Sequence, residues 1–83
     1  MLWILSVRNK VYKQLTGFPA DYARRILSIF EQMRDNPYGG DIVNLGEAGF
    51  RRRVGDYRIF YEIRKNEQVI YIYKVERRTS KTY

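Results

Sequence analysis

The chain contains no cysteine and no histidine. The first absence removes disulfides and thiolate zinc sites. The two together remove Ser-His and Cys-His nucleophilic pairs and histidine-ligated metal chemistry. Acidic residues are scarce, nine against sixteen Lys and Arg, and they show no metal-binding spacing. Gly-rich phosphate-binding loops are absent. Long hydrophobic runs are absent too: the opening MLWIL has five apolar residues before Ser6 and Arg8. That is too short for a signal-peptide core or a membrane span, and it reads as a buried strand. No internal repeat, linker or low-complexity segment is present.

What remains is 83 residues, 45% apolar and 30% charged. This is the composition of a globular chain, and the length suits one domain over residues 1–83 with little core to spare. A cytoplasmic setting agrees with the missing cysteines. The net charge of +7 is unevenly spread. Residues 1–50 carry six Lys/Arg against five Asp/Glu, whereas residues 51–83 carry ten against four. A one-sided basic half points to a polyanionic partner, either nucleic acid or an acidic protein segment.

Periodicity orders the chain. Leu2 to Val7 reads as a first strand. From Arg8 to Leu15, Val11, Leu15 and Phe18 recur at helical spacing, and Thr16-Gly17 stops the helix. Pro19 suits the first turn of a second helix, in which Tyr22, Ile26, Ile29, Phe30 and Met33 form one apolar stripe. Asn36-Pro37 ends it, because proline disfavours a helical residue before it. Residues 37–49, PYGGDIVNLGEAG, hold four of the six glycines and read as a loop pinned to the core by Val43 and Leu45. Three strands follow: FRRRV, then YRIFYEIR after Gly55-Asp56, then Val69 to Val75 after Lys65-Asn66-Glu67-Gln68. Gly-Asp between alternating runs is a tight-hairpin signal. The expected fold is α+β, ordered β-α-α-β-β-β, with both helices on one face of a small, mainly antiparallel sheet and the other face free.

Strand alternation sorts the side chains. It places Arg51, Arg53 and Arg58, with Lys74, on the free face. Arg52 falls with Phe50 and Val54, where an apolar residue is expected, and so has to snorkel or lie near an edge. In the last strand Val69, Tyr71, Tyr73 and Val75 share one face, opposite Ile70, Ile72 and Lys74. The chain ends in a basic tail, Arg77-Arg78-Thr79-Ser80-Lys81-Thr82-Tyr83. Guanidinium groups bind phosphates bidentately and stay charged at ordinary pH. Tyrosines stack on unpaired bases or shuttle protons. Together they suit single-stranded RNA, with cations stabilising the charge that develops as a 2′-hydroxyl attacks its adjacent phosphate. An Arg-Tyr-rich sheet that simply binds an acidic partner is the plainer reading of the same residues.

The segment FRRRVGDYRIFYEI, followed by a hydrophobic strand and ERRTSKTY, resembles the RelE/ParE superfamily of bacterial type II toxins. The likeness covers nearly the whole chain and is most specific in RVGDYRIFY. The RelE branch cuts mRNA in the ribosomal A site by 2′-hydroxyl attack, leaving a cyclic phosphate and a 5′-hydroxyl, and a cognate antitoxin wraps the toxin. The ParE branch shares the fold but poisons DNA gyrase. The resemblance to RelE implies a metal- and cofactor-independent endoribonuclease, monomeric when alone. Its catalytic set is Arg51, Arg53, Arg58, Arg77 or Arg78 (the strand register favours Arg78) and Tyr83. Arg58 and Arg78 hold the scissile phosphate, Tyr83 stacks on the substrate base, and Arg51 and Arg53 steer the RNA. Arg52, Lys74 and Lys81 join Arg51 and Arg53 as RNA contacts. The chain departs from the family in carrying arginines where the best-known pattern has lysines at the Arg51/Arg53 pair. An arginine is a poor proton acceptor, which leaves that role to Tyr83 or Glu62. The alternatives are gyrase inhibition and a non-enzymatic basic module that binds RNA or the antitoxin.

Overall fold

A computed structural model describes residues 2–77. The order is β1 (Ile4–Val7), α1 (Asn9–Thr16), α2 (Ala20–Asp35), β2 (Ile42–Asn44), a 3-10 turn (Gly46–Ala48), β3 (Phe50–Val54), β4 (Tyr57–Arg64) and β5 (Val69–Arg77). The sheet runs β1-β5-β4-β3-β2, antiparallel except where β1 lies parallel to β5. The α+β class and the two helices on one face match the expectation. One strand was missed: Ile42–Asn44 adds to β3 within the stretch read as loop. It is three residues long and flanked by glycines, too short for alternation to register.

The helices form where the apolar spacing places them. Val11 and Leu15 of α1, and Ile26, Phe30 and Met33 of α2, pack on Val54, Tyr57, Ile59, Tyr61, Ile70, Ile72 and Val75 of the sheet. Gly17 ends α1, its backbone N–H donating to the Gln14 carbonyl at 3.1 Å and the Phe18 N–H to the Leu15 carbonyl at 3.1 Å, and Pro19 caps α2. Two expectations about the core are corrected. β1 is an edge strand, not a buried one, and Ile4 is 60% exposed. Val43 is exposed as well; Ile42 and Leu45 are the half-covered residues of its segment.

Gly55 has φ +59, the left-handed value that the first central position of a two-residue II′ hairpin turn requires, and Val54 pairs directly with Tyr57 across it. The turn between β4 and β5 instead uses Gln68 at φ 55, and its carbonyl accepts the Ile4 N–H at 2.8 Å.

The last strand departs from simple alternation. Phe60 pairs with Lys74 but Tyr61 pairs with Ile72, so Tyr73 is an extra, bulged residue. A one-residue slip reverses every side chain beyond it. Val75 therefore turns inward to 1% exposure, and Tyr71 and Tyr73 share the helix-free face with Lys74 and Glu76. This overturns the grouping of Val75 with the two tyrosines. β1 stops at Val7, opposite Ile72, so beyond that point β5 is paired on its β4 side alone among the described residues. The Val75 N–H is taken up by α1 instead, donating to Gln14 Oε1 at 3.1 Å.

Candidate nucleic-acid interface

The open face of β3, β4 and β5 is a grid set by register. Arg53 stands directly opposite Arg58, and Arg58 opposite Glu76. In the next row Arg51 faces Phe60, which faces Lys74. Like charges directly opposite on neighbouring strands are destabilising, so the Arg53–Arg58 pair is a local cost to the fold. Arg58 is met on its other side by Glu76, Nη1 to Oε1 at 3.5 Å, and Lys74 reaches the second carboxylate oxygen at 3.7 Å. Neither Arg51 nor Arg53 makes an ion pair among the described residues. Three arginines and a lysine thus converge on one patch with a single carboxylate between two of them. Such a patch attracts and orients a phosphate through charge-assisted hydrogen bonds.

Aromatic rings continue this face. Phe60 and Tyr73 lie 6.2 Å apart between centroids, and Tyr73 and Tyr71 lie 6.4 Å apart and nearly parallel. Lys74 Nζ sits 4.4 Å from the Phe60 centroid, and the Arg64 guanidinium 5.1 Å from that of Tyr71. The Tyr73 hydroxyl donates to the Ala48 carbonyl at 2.7 Å, tying the ring down across the sheet. Burial, and then the nearby Glu62 carboxylate, push the Tyr73 phenol above its ordinary range, which keeps it a donor.

Several expected residues lie elsewhere. Arg52 is on the helix side of β3, its guanidinium laid against Gly40, where a Cβ would come within 2.5 Å of it. It therefore does not join Arg51 and Arg53. Arg77 also turns to the helix side, opposite Tyr57, with its guanidinium 5.8 Å from that ring. Glu62 shares the open face but is paired with Arg64 at 3.0 Å. Arg78, Lys81 and Tyr83 lie outside the described residues. Sequence reasoning missed Glu76 as a partner of Arg58, because only the Tyr73 bulge brings the two opposite each other.

The family model for the ParE toxin of the type II toxin-antitoxin system parDE matches residues 8–81. The chain belongs to that family. Among solved structures it is similar to an archaeal RelE–RelB complex from Pyrococcus horikoshii, with 27% identity and a TM-score of 0.84 over 98% of this chain and all of that one. It is also similar to a RelBE toxin–antitoxin complex from Mycobacterium tuberculosis (18% identity, 94% of this chain and 100% of that one, TM-score 0.81). The isolated E. coli RelE toxin matches at 10% identity over 95% of this chain and 87% of that one, with a TM-score of 0.78. At those last two identities the likeness is one of fold. No curated protein matches by sequence. The chain is thus a type II toxin of the RelE/ParE superfamily.

The toxin carries a second surface feature away from the basic face. Tyr12, Leu15 and Phe18, with Ala23, Arg24 and Leu27 of α2, line an apolar groove of about 490 Å³ between the helices. Tyr12 and Leu27 are exposed there. Among the described residues no helix is long and apolar enough to cross a membrane.

Proposed function

We propose that this toxin is a cytoplasmic endoribonuclease of the RelE kind, cutting mRNA in the ribosomal A site and so arresting translation. The observation that carries the reading is the Arg53–Arg58 pair, two guanidiniums held opposite each other on the sheet face that neither helix covers. A pairing that costs stability in the free protein is relieved when an anion sits between the two groups. In the reaction, the substrate 2′-hydroxyl gives its proton to solvent water as its oxygen attacks the adjacent phosphorus. The bond to the 5′-oxygen breaks and that oxygen takes up a proton from solvent, so that a cyclic phosphate and a 5′-hydroxyl result. Arg58 and Arg53 stabilise the charge that builds on the phosphoryl oxygens, and Arg51 and Lys74 steer the strand. Arg78 and Tyr83 complete the set in this reading, as a phosphate ligand and a base-stacking group. Arginine supplies charge rather than proton acceptance, so much of the rate comes from the ribosome aligning the RNA for in-line attack.

The partner in the resting state is a cognate antitoxin. The P. horikoshii relative is a complex of RelE with RelB. An amphipathic helix suits the groove between α1 and α2, and an acidic segment suits the Arg51–Arg53–Arg58 face. Gyrase poisoning is the second reading, favoured by the ParE description of the matching family model. Induced expression in growing cells separates the two. Cleaved mRNA with intact chromosomes, abolished by Arg58→Ala in a protein that still binds its antitoxin, supports the nuclease. Double-strand DNA breaks with intact mRNA overturn it in favour of gyrase.

A further inference from the structure

The aromatic strip Phe60–Tyr73–Tyr71 has no part in the phosphate chemistry described above. It is not needed for the core either, which lies on the other side of the sheet. The three rings sit half covered on the face that neither α1 nor α2 packs against. Their centroids step across β4 and β5 at 6.2 and 6.4 Å. The strip begins beside the phosphate patch, since Phe60 is the cross-strand partner of both Arg51 and Lys74. It ends at Arg64, over the Tyr71 ring. The middle ring is held in one orientation by its hydroxyl bond to Ala48. A run of aromatic rings with a cation at each end, Lys74 at Phe60 and Arg64 at Tyr71, is complementary to a strand that carries unpaired bases between phosphates, even with Glu62 and Glu76 paired to cations on the same face.

Resting on the RNA reading above, we propose that Phe60, Tyr73 and Tyr71 form a base-stacking platform for single-stranded RNA, extending the Arg51–Arg53–Arg58 site across β5. The strand's phosphate is held by the arginine patch, and the neighbouring nucleotides lay their bases on the rings. Lys74 and Arg64, stacked on the outer rings in the free toxin, move from ring face to phosphate as the bases arrive. The competing account is a cross-strand ladder whose only role is to stabilise the sheet.

The test compares two oligoribonucleotide probes of equal length at one fixed salt concentration. Both carry 2′-O-methyl groups so that the 2′-oxygen cannot attack, and one is abasic throughout. Fluorescence anisotropy reads their dissociation constants with the intact toxin. The base-bearing strand is expected to bind at least roughly fivefold more tightly, the discrimination that stacking of one base supplies. Tyr71→Leu with Tyr73→Leu is expected to bring that ratio close to one while leaving affinity for the abasic strand unchanged, which also reports that the arginine face is still folded. Tyr73→Phe, which keeps the ring and loses only the tether to Ala48, is expected to retain most of the ratio. Arg58→Ala is expected to weaken both probes alike. Equal binding of the two probes by the native toxin, or a ratio unmoved in the double variant, overturns the platform and leaves the phosphate site standing. Failure of the native toxin to bind either probe overturns the platform, while the RNA reading itself is overturned separately, by intact mRNA in the induced-expression experiment above.

Discussion

The two faces of this sheet follow opposite rules. On the helix side every deep position is apolar or a tyrosine, and even the polar atoms are mostly settled: the Tyr61 hydroxyl donates to the Pro37 carbonyl at 2.8 Å inside the core. On the open side the strands hold like charges opposite one another, half-covered aromatic rings, and a glutamate, Glu76, shared between Arg58 and Lys74. One face is optimised for stability and the other is not. Residues that break local rules without a compensating contact mark where a ligand is expected.

Truncation on the helix side should give the largest change in stability. Ile59 is fully buried, and Ile59→Ala is expected to cost about 2–5 kcal/mol in denaturant unfolding through lost burial and the cavity left behind. A loss below about 1 kcal/mol would mean that this face is not the core. Next comes the buried phenol. Burial pushes Tyr61 up to about 12, opposed by Arg52 and aided by Tyr38. Above pH 10 the unfolded chain releases this proton while the native state keeps it, so native stability falls as pH rises from about 10 to 12. At about 1.4 kcal/mol per pH unit this amounts to roughly 2–3 kcal/mol. Tyr61→Phe is expected to remove that alkaline slope in a series of thermal melts, and an unchanged slope would place its origin elsewhere.

The open face should behave in reverse. Arg58→Ala is expected to change stability by no more than about 1 kcal/mol, because its ion pair with Glu76 is partly exposed. The same substitution is expected to lower cleavage by about 100-fold or more, the scale for removing one donor to a developing charge. Loss of stability in step with loss of activity would erase the distinction between the faces. The smallest effect belongs to Glu76→Gln. Removing the carboxylate that occupies Arg58 and Lys74 is expected to strengthen phosphate-backbone binding a few-fold, measured by salt-dependent titration of a single-stranded RNA. Weaker binding would assign Glu76 a direct contact with RNA rather than a competing one.

The legible parts of this toxin are those governed by local pattern. The stripes at Val11/Leu15 and Ile26/Phe30/Met33, the Gly55 turn, and the shared face of Arg51, Arg53 and Arg58 all follow from spacing alone. The parts that were not legible depend on contacts between distant segments. The bulge at Tyr73 falls where β1 ends and where Gln14 of α1 accepts the Val75 N–H, and neither neighbour is written in the strand itself. Glu76 became a neighbour of Arg58 only through that bulge. β2 was hidden because three residues among glycines carry no period, and its pairing with β3 is what orders them. Arg52 was half legible: its misfit was visible in the alternation, but the bare backbone of Gly40 that receives it was not.

Cleavage of a programmed mRNA, with and without ribosomes and with the new 5′ ends mapped, tests the central claim most directly. Cuts confined to the A-site codon, dependent on ribosomes and lost with Arg58→Ala, are expected if the open face is a nuclease site. Intact mRNA in the presence of folded toxin and translating ribosomes would contradict it.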